Sequence, residues 1–397
     1  MKCVNFGKIH ISLIFPFLVP VFYTLRDVAF KGLFANNFNG HPILETFLMF
    51  ISEFLCIFIE IPLYFIKKSK NTRISFSVQD GQLVVNEKMI LEKPFKCCEF
   101  IVIFLIFLSA LIDFVCFTGI SFLCSYDAVQ TNNVHTKMRI LPVFFMGFLS
   151  LKILNFNIYK HHIFSILLIG FGFLLLMIGI MITVMSKVAF SIQFIILGIF
   201  LCIHIVYSCK QINDKYLLDH KYISPFLLLV YQGTAGMAIT LVFYVVALYV
   251  PCRSNWKFCN PGPIFENFVT DWNIFAGNQE IILYLFLFLF SSIGLNSTLM
   301  LTKQKLTPSH RSVSDTMNAF FAGIVSIIYK WGGTYSYVDI AGFIIIMCGC
   351  LIYNEIIILH FCGLDKDTKY EITLRAGVKE TSFISEELTN FEKIQIN

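Results

Sequence analysis

Six ionisable side chains lie inside long apolar stretches: Glu53, Asp113, Lys137, Arg139, His204 and Asp315. If such a stretch crosses a bilayer, a charge at its centre costs at least about 2.5–3.5 kcal/mol, so each needs a partner or a task. A carboxylate or an imidazole can take up and release a proton. An arginine or lysine can hold an anionic group. These residue types suit charge recognition and proton relay within a low-dielectric cavity. Bond-making chemistry would need a nucleophile, a metal cluster or an acid–base pair at the membrane surface. His161 and His162 are expected at a cytosolic loop without nearby carboxylates, and no Cys/His spacing resembles a metal site. The chain is therefore read as a non-enzyme without a cofactor.

The elements that must position these groups follow from composition. Of 397 residues, 57% are hydrophobic and 14% charged, 45 are Phe, and the mean hydropathy is +0.75. A soluble chain is about a quarter charged, so this is an all-α polytopic membrane protein. Apolar stretches near 20 residues occur at 9–28, 43–66, 100–123, 130–151, 163–185, 188–209, 224–249, 281–301, 310–331 and 337–360. Irregular backbone cannot face lipid, so each is expected to be a transmembrane helix, ten in all. The first run lacks a small-residue cleavage site and is expected to be retained.

With the N-terminus inside, 22 Lys and Arg fall on the inner side and 6 on the outer, with Lys137 and Arg139 within a span. This bias places both termini in the cytosol. It also explains the basic net charge of +5 without nucleic acid. Residues 67–99 then form a cytosolic loop, 250–280 a lumenal or exterior loop, and 362–397 a solvated cytosolic tail. Cys252 and Cys259 in the outer loop are the pair placed to form a disulfide. The sequon at Asn296 falls inside a span and is expected to be unmodified.

Residues 135–151, "HTKMRILPVFFMGFLSL", align without gaps to 311–327, "RSVSDTMNAFFAGIVSI". Phe144, Phe145, Gly147 and Ser150 match Phe320, Phe321, Gly323 and Ser326. Ten spans divide into two repeats of five, 1–187 and 188–361. An odd number of spans inverts the second copy, an arrangement that places substrate between the repeats near the midplane. Arg139 and Asp315 are equivalent in this alignment. Arg139 could meet Asp315, or Asp113 on the preceding span, either as a static pair that fixes packing or as one that breaks as access switches.

Lys137 lies about 200° around a helix from Arg139, so the two cannot share a face; Arg139 is the expected cavity residue. His135 reads as a solvated helix start. Glu60, Glu280 and Glu355 lie near span ends, where reaching water is the simpler reading. An acid without an arginine partner makes the better proton carrier, which favours Asp113 or Glu53 without choosing between them. His204 could titrate or simply hydrogen-bond within the bundle. Pro16, Pro20 and Pro142 could kink their helices.

"HPILETFLMFISEFLCIF", "LIDFVCFTGISF", "KMRILPVFFMGF", "YQGTAGM", "LTPSHRSVSDTMNAFF" and "GFIIIMCGCLIYN" occur in this order. Over about residues 10–356 the chain resembles the drug/metabolite transporter superfamily, nearest the F branch of solute carrier family 35. The resemblance implies a ten-helix, inverted-repeat carrier of organic solutes in an internal membrane (lysosome/vacuole or Golgi). It also implies that helices one to four and six to nine surround the cavity while five and ten form a scaffold. Gln232 stands where the family carries a glutamate.

Three acids in the spans against two cations favour a neutral, zwitterionic or cationic metabolite, with a nucleotide sugar as the alternative and a channel or non-transporting scaffold as the second. The expected partners are a small organic solute, the lipid bilayer and protons as coupling ion. A homodimer is left open.

Overall fold

The structure, a computed structural model, describes residues 4–6, 14–35, 42–66, 100–126, 134–135, 137–153, 159–184, 190–250, 277–306, 308–328, 336–360, 363–364, 366 and 368. The proposed disulfide pair Cys252 and Cys259 and the loop 67–99 lie outside the described residues, as does most of the 250–280 loop and of the tail.

Helices cover the apolar stretches: α1 Ile14–Ala35, α2 Pro42–Phe54, α3 Phe100–Tyr126, α4 Leu141–Ile153, α5 Lys160–Val184, α6 Phe190–His220, α7 Pro225–Ala247, α8 Gln279–Lys305, α9 Pro308–Ile328 and α10 Tyr337–Tyr353. Among the described residues six helical segments are long and apolar enough to cross a membrane, and α10 is a shorter apolar helix. This is an all-α, multi-pass membrane architecture. Large apolar side chains such as Phe100, Leu167 and Phe286 point outward, as a lipid solvent requires and water would penalise.

Local chemistry sets the helix ends. Ser224 caps α7 by accepting from Leu227 N, with Pro225 at the first helical position. Ser336 and Asp339 form a reciprocal capping box at α10. Pro142 sits in the first turn of α4, where its missing N–H costs nothing. Pro20 lies within α1, and Thr24 Oγ1 donates to the Pro20 carbonyl at 2.7 Å.

Two stretches read as continuous spans are interrupted. Beyond Phe54 the ladder of α2 tightens to i→i−3 bonds, with Cys56 N donating to Glu53 O at 3.1 Å, before helix resumes over 57–66. The fourth stretch is helical over 137–138, turns at Arg139 and Ile140, and restarts as α4.

One feature was not expected from an all-α reading. Val4–Phe6 (β1) pairs antiparallel with Ile357–Leu359 (β2), joining Val4 to Leu359 and Phe6 to Ile357. Three-residue strands carry too little pattern to be seen in a chain rich in apolar runs.

In the bundle, α5 packs on α10, α1 on α8 and α9, α2 on α7 and α8, α3 on α6 and α7, and α4 on α6 and α9. Glycines make the α5–α10 contact close. A Cβ on Gly172 would stand 2.9 Å from Gly342 O, and one on Gly342 the same distance from Gly172 O. The buried cluster of Ile169, Leu176, Phe343 and Ile346 fills the rest of that seam.

Candidate functional site

The helices enclose a cavity with about 1240 Å³ of space between its walls, part of it open to solvent. Helical periodicity decides which side chains reach it. Helix α1 contributes Tyr23, Arg26, Asp27 and Phe30, and α3 contributes Asp113, Cys116, Phe117 and Ile120, both at i, i+3, i+4 and i+7, a single face. Helix α8 presents Asn296, Leu299, Met300 and Lys303 in the same way, α6 presents Ile203, His204, Tyr207 and Lys210 at i, i+1, i+4 and i+7, and α9 presents Arg311 and Asp315. Glu53 from α2, Leu229 from α7, Pro142 from α4 and the preceding His135 and Arg139 also line it; no residue of α5 or α10 does so among the described residues.

Of the residues singled out by sequence, Glu53, Asp113, Arg139, His204 and Asp315 line the cavity, while Lys137 and Gln232 do not. Lys137 turns away, as its angular separation from Arg139 requires. Its Nζ meets Asp339 Oδ1 at 2.6 Å in a pair almost wholly out of solvent. That pair ties the segment before α4 to α10.

Arg139 pairs with neither Asp315 nor Asp113. Its guanidinium is bidentate on Asp27, Nη1 to Oδ2 at 3.0 Å and Nη2 to Oδ1 at 3.3 Å. Asn318 Nδ2 also donates to Asp27, at 3.3 Å. The Tyr23 ring lies under both Arg139 and Arg26, 4.8 and 4.6 Å from their Cζ atoms. Two planar donors facing two carboxylate oxygens explain the choice of arginine. Asp27 lies near the end of the first apolar stretch, where it passes for a boundary residue.

Asp315 lies instead beside Arg311, 3.8 Å from Nε to Oδ2 one helical turn away. Arg311 donates from Nη2 to Tyr207 Oη at 2.6 Å, and its Nε and Nη1 make no hydrogen bond among the described residues. Asp315 Oδ1 is likewise without one. These are charged groups buried beside a cavity with bonding capacity unused, a costly state unless something else completes it.

A third cluster is not apparent from the sequence, because Lys210, Asp214 and Lys303 sit where the apolar runs give way to charge, as a loop begins. Helix α6 continues to His220, carrying Lys210 and Asp214 into the bundle. Lys210 Nζ is 2.6 Å from Asp113 Oδ2 and 3.3 Å from Asp214 Oδ2, and Lys303 Nζ also bonds Asp214. Gln232 Nε2 donates to Asp214 Oδ1 at 2.7 Å, and Ser109 Oγ donates to the same oxygen at 3.0 Å. Asp214 is thereby saturated, as a buried carboxylate must be. Gln232 serves this network, a neutral donor where a glutamate would add a second negative charge. The i, i+4 spacing of Lys210 and Asp214, in phase with Ile203 and Tyr207, was the signal available in the sequence.

Glu53 is 3% exposed, and its Oε2 makes no hydrogen bond among the described residues. Gly233 lets α7 approach this point: a Cβ there would lie 2.6 Å from Phe54 N and 3.0 Å from Glu53 Cβ. His135, expected in solvent, is buried and stacks on His204 with centroids 6.0 Å apart and planes within 5°.

The charge balance drawn from sequence is also corrected. Arg26, Arg139, Lys210, Lys303 and Arg311 line the cavity against Asp27, Glu53, Asp113 and Asp315, so cations are not the minority. Removing Lys210, Lys215, Lys303 and Arg311, all buried, from the inner loops lowers the basic excess there without changing its sign.

The expectation that His161 and His162 lack a carboxylate does not hold either. His161 Nε2 is 3.3 Å from Glu355 Oε1, where the start of α5 meets the end of α10, and neither residue lines the cavity. Glu355 thus turns to the histidines, with 13% of its side chain exposed.

No family model and no curated protein matches the chain. Solved structures do match in fold. One, described as "Crystal structure of protein", superposes with a TM-score of 0.51 at 10% identity, covering 86% of this chain and 96% of that one. Likeness at that identity concerns the fold alone.

Proposed function

We propose that the chain is a secondary-active carrier that moves a small organic metabolite across a membrane by alternating access. The observation that carries this reading is a cavity walled by helices from both halves of the chain, whose charged groups keep unused bonding capacity of both signs among the described residues. The Arg311 Nε and Nη1 donors and the Glu53 Oε2 and Asp315 Oδ1 acceptors are such groups. A solute bearing one anionic and one cationic group satisfies both sets at once. Proton coupling fits Glu53, the lining acid without an ion pair among the described residues.

The ten-span, inverted-repeat reading and the resemblance to the drug/metabolite transporters belong to this proposal. The helix contacts support it. Replacing each helix by its counterpart five places along turns α1–α8 into α6–α3, α1–α9 into α6–α4 and α2–α8 into α7–α3. It maps α2–α7, α4–α9 and α5–α10 onto themselves, and all of these pairs are in contact. The breaks beside Glu53 and at Arg139 also suit a carrier, which opens its helices at the substrate site. Cytosolic termini fit the basic bias and the β1–β2 pairing, which sets the strand before α1 beside the strand after α10. An internal membrane follows from the resemblance.

A specific observation favours one second reading. The five lining cations suit a phosphate-bearing solute, so a nucleotide sugar is the alternative. The experiment is uptake into proteoliposomes containing the purified chain, with and without an imposed pH gradient, comparing zwitterionic metabolites with nucleotide sugars. Saturable, gradient-driven accumulation of a zwitterion supports the proposal. Saturable exchange of nucleotide sugars indifferent to pH selects the alternative. Passive, unsaturable flux, or none, refutes both and indicates a channel or a scaffold.

A further inference from the structure

The N-terminus of α5 and the C-terminal end of α10 bring three side chains together that take no part in the cavity. His161 and His162, 3% and 5% exposed, offer their ring nitrogens, and Glu355 its carboxylate; one ligand atom from each lies within 4.8 Å of the others. We propose that His161, His162 and Glu355 form a binding site for a divalent transition metal of the zinc class.

The donor set carries the choice of metal. Two imidazoles and a carboxylate suit zinc and its first-row neighbours, whereas magnesium and calcium demand oxygen. Two ligand atoms on one tetrahedral zinc stand about 3.4 Å apart, from bonds of about 2.0–2.2 Å. The 3.3 Å between His161 Nε2 and Glu355 Oε1 is already at that spacing. The third donor, on His162, lies within 4.8 Å of both. Neither ring nitrogen of His161 makes a hydrogen bond among the described residues. The hydrogen-bonding capacity of a buried ring is thus left unused, with Nε2 facing a carboxylate, a state that otherwise only costs stability.

The backbone and the rings around the site are arranged to hold this geometry. Glu355 has φ 58°, the left-handed region where the residue after a helix is ordinarily Gly or Asn. A longer side chain is kept there at backbone cost, and its carboxylate reaches the histidines. The His161 and His162 ring centroids are 4.0 Å apart, and His162 packs on Tyr353 at 4.4 Å. The positive end of α5 opposes a cation, but the negative end of α10 terminates beside it and the carboxylate adds a full charge. His310, at the start of α9, meets His162 edge-on at 5.6 Å. Bound metal would staple both scaffold helices at the end where β1 meets β2. The site stands whatever the cavity carries.

The test uses the full chain in detergent, carrying an affinity tag without histidine, stripped with a chelator and then dialysed against zinc. About one zinc per chain should survive gel filtration. His161→Ala and Glu355→Gln should each abolish that binding, or weaken it beyond the roughly 10–100-fold produced by losing an outer-shell partner. Cys202→Ser/Cys209→Ser, which removes two exposed thiols, should retain it. Should the histidine variant fail to fold, X-ray absorption at the zinc edge of the unaltered chain decides. A shell of nitrogen and oxygen at about 2.0–2.1 Å supports the site, and a sulfur shell near about 2.3 Å overturns it. Absence of stoichiometric zinc in the unaltered chain, or binding indifferent to both substitutions, also overturns it.

Discussion

Asp27, not Asp315, should be energetically coupled to Arg139, and a double-mutant cycle measures this directly. The perturbations are Asp27→Ala, Arg139→Ala and the pair together. Each charge-assisted hydrogen bond contributes about 1.5–3 kcal/mol, so the two between these side chains set a ceiling of about 3–6 kcal/mol. The side chains retain 11% and 18% exposure, and water in the cavity screens part of the attraction. Asn318 continues to bond Asp27, and the Tyr23 face continues to support the guanidinium. The expected coupling is therefore about 2–3 kcal/mol, in the upper range for residues in contact. Equilibrium unfolding in mixed micelles supplies the four stabilities. The matching cycle of Asp315→Ala with Arg139→Ala should be additive within about 0.5 kcal/mol. Additivity for Asp27, or strong coupling for Asp315, would refute the assignment of the partner.

Four further outcomes follow from the packing and the charges. Gly233→Ala should destabilise by about 1–3 kcal/mol, because the new methyl meets Phe54 N and Phe50 O at 2.6 and 2.8 Å, backbone atoms that cannot swing aside. Gly198→Ala, where a Cβ meets nothing within 4 Å, should be neutral or slightly stabilising in the same unfolding assay. Glu53→Gln should abolish gradient-driven uptake but leave exchange between equal pH compartments; unchanged gradient dependence would move the proton to another acid. Lys137→Met should lower thermal stability by stranding the buried Asp339 carboxylate. The substrate KM of the folded fraction should stay within about twofold, since that pair does not touch the cavity; a large change in KM would place Lys137 in the binding site.

What the sequence determined is what a single segment can report. Apolar run length sets where helices form, because a bilayer tolerates no unpaired backbone. Spacing along one helix sets which side chains share a face, so the opposition of Lys137 and Arg139 was legible, as was the inward placement of Glu53, Asp113, His204 and Asp315. Where charge follows an apolar run the signal fails. Lys210, Asp214 and Lys303 look like the start of a loop, yet α6 and α8 carry them into the bundle, where Lys210 meets Asp113 and Asp214 meets Lys303, partners that lie on other helices.

Partner identity is likewise a property of the tertiary structure. Arg139 finds Asp27 from 112 residues away, and His161 finds Glu355 from the far end of the chain, once α5 and α10 have closed on their glycines. A charge in a bilayer is stable only when something opposite reaches it. The sequence shows which residues need such a partner, and only the packed helices decide which one arrives.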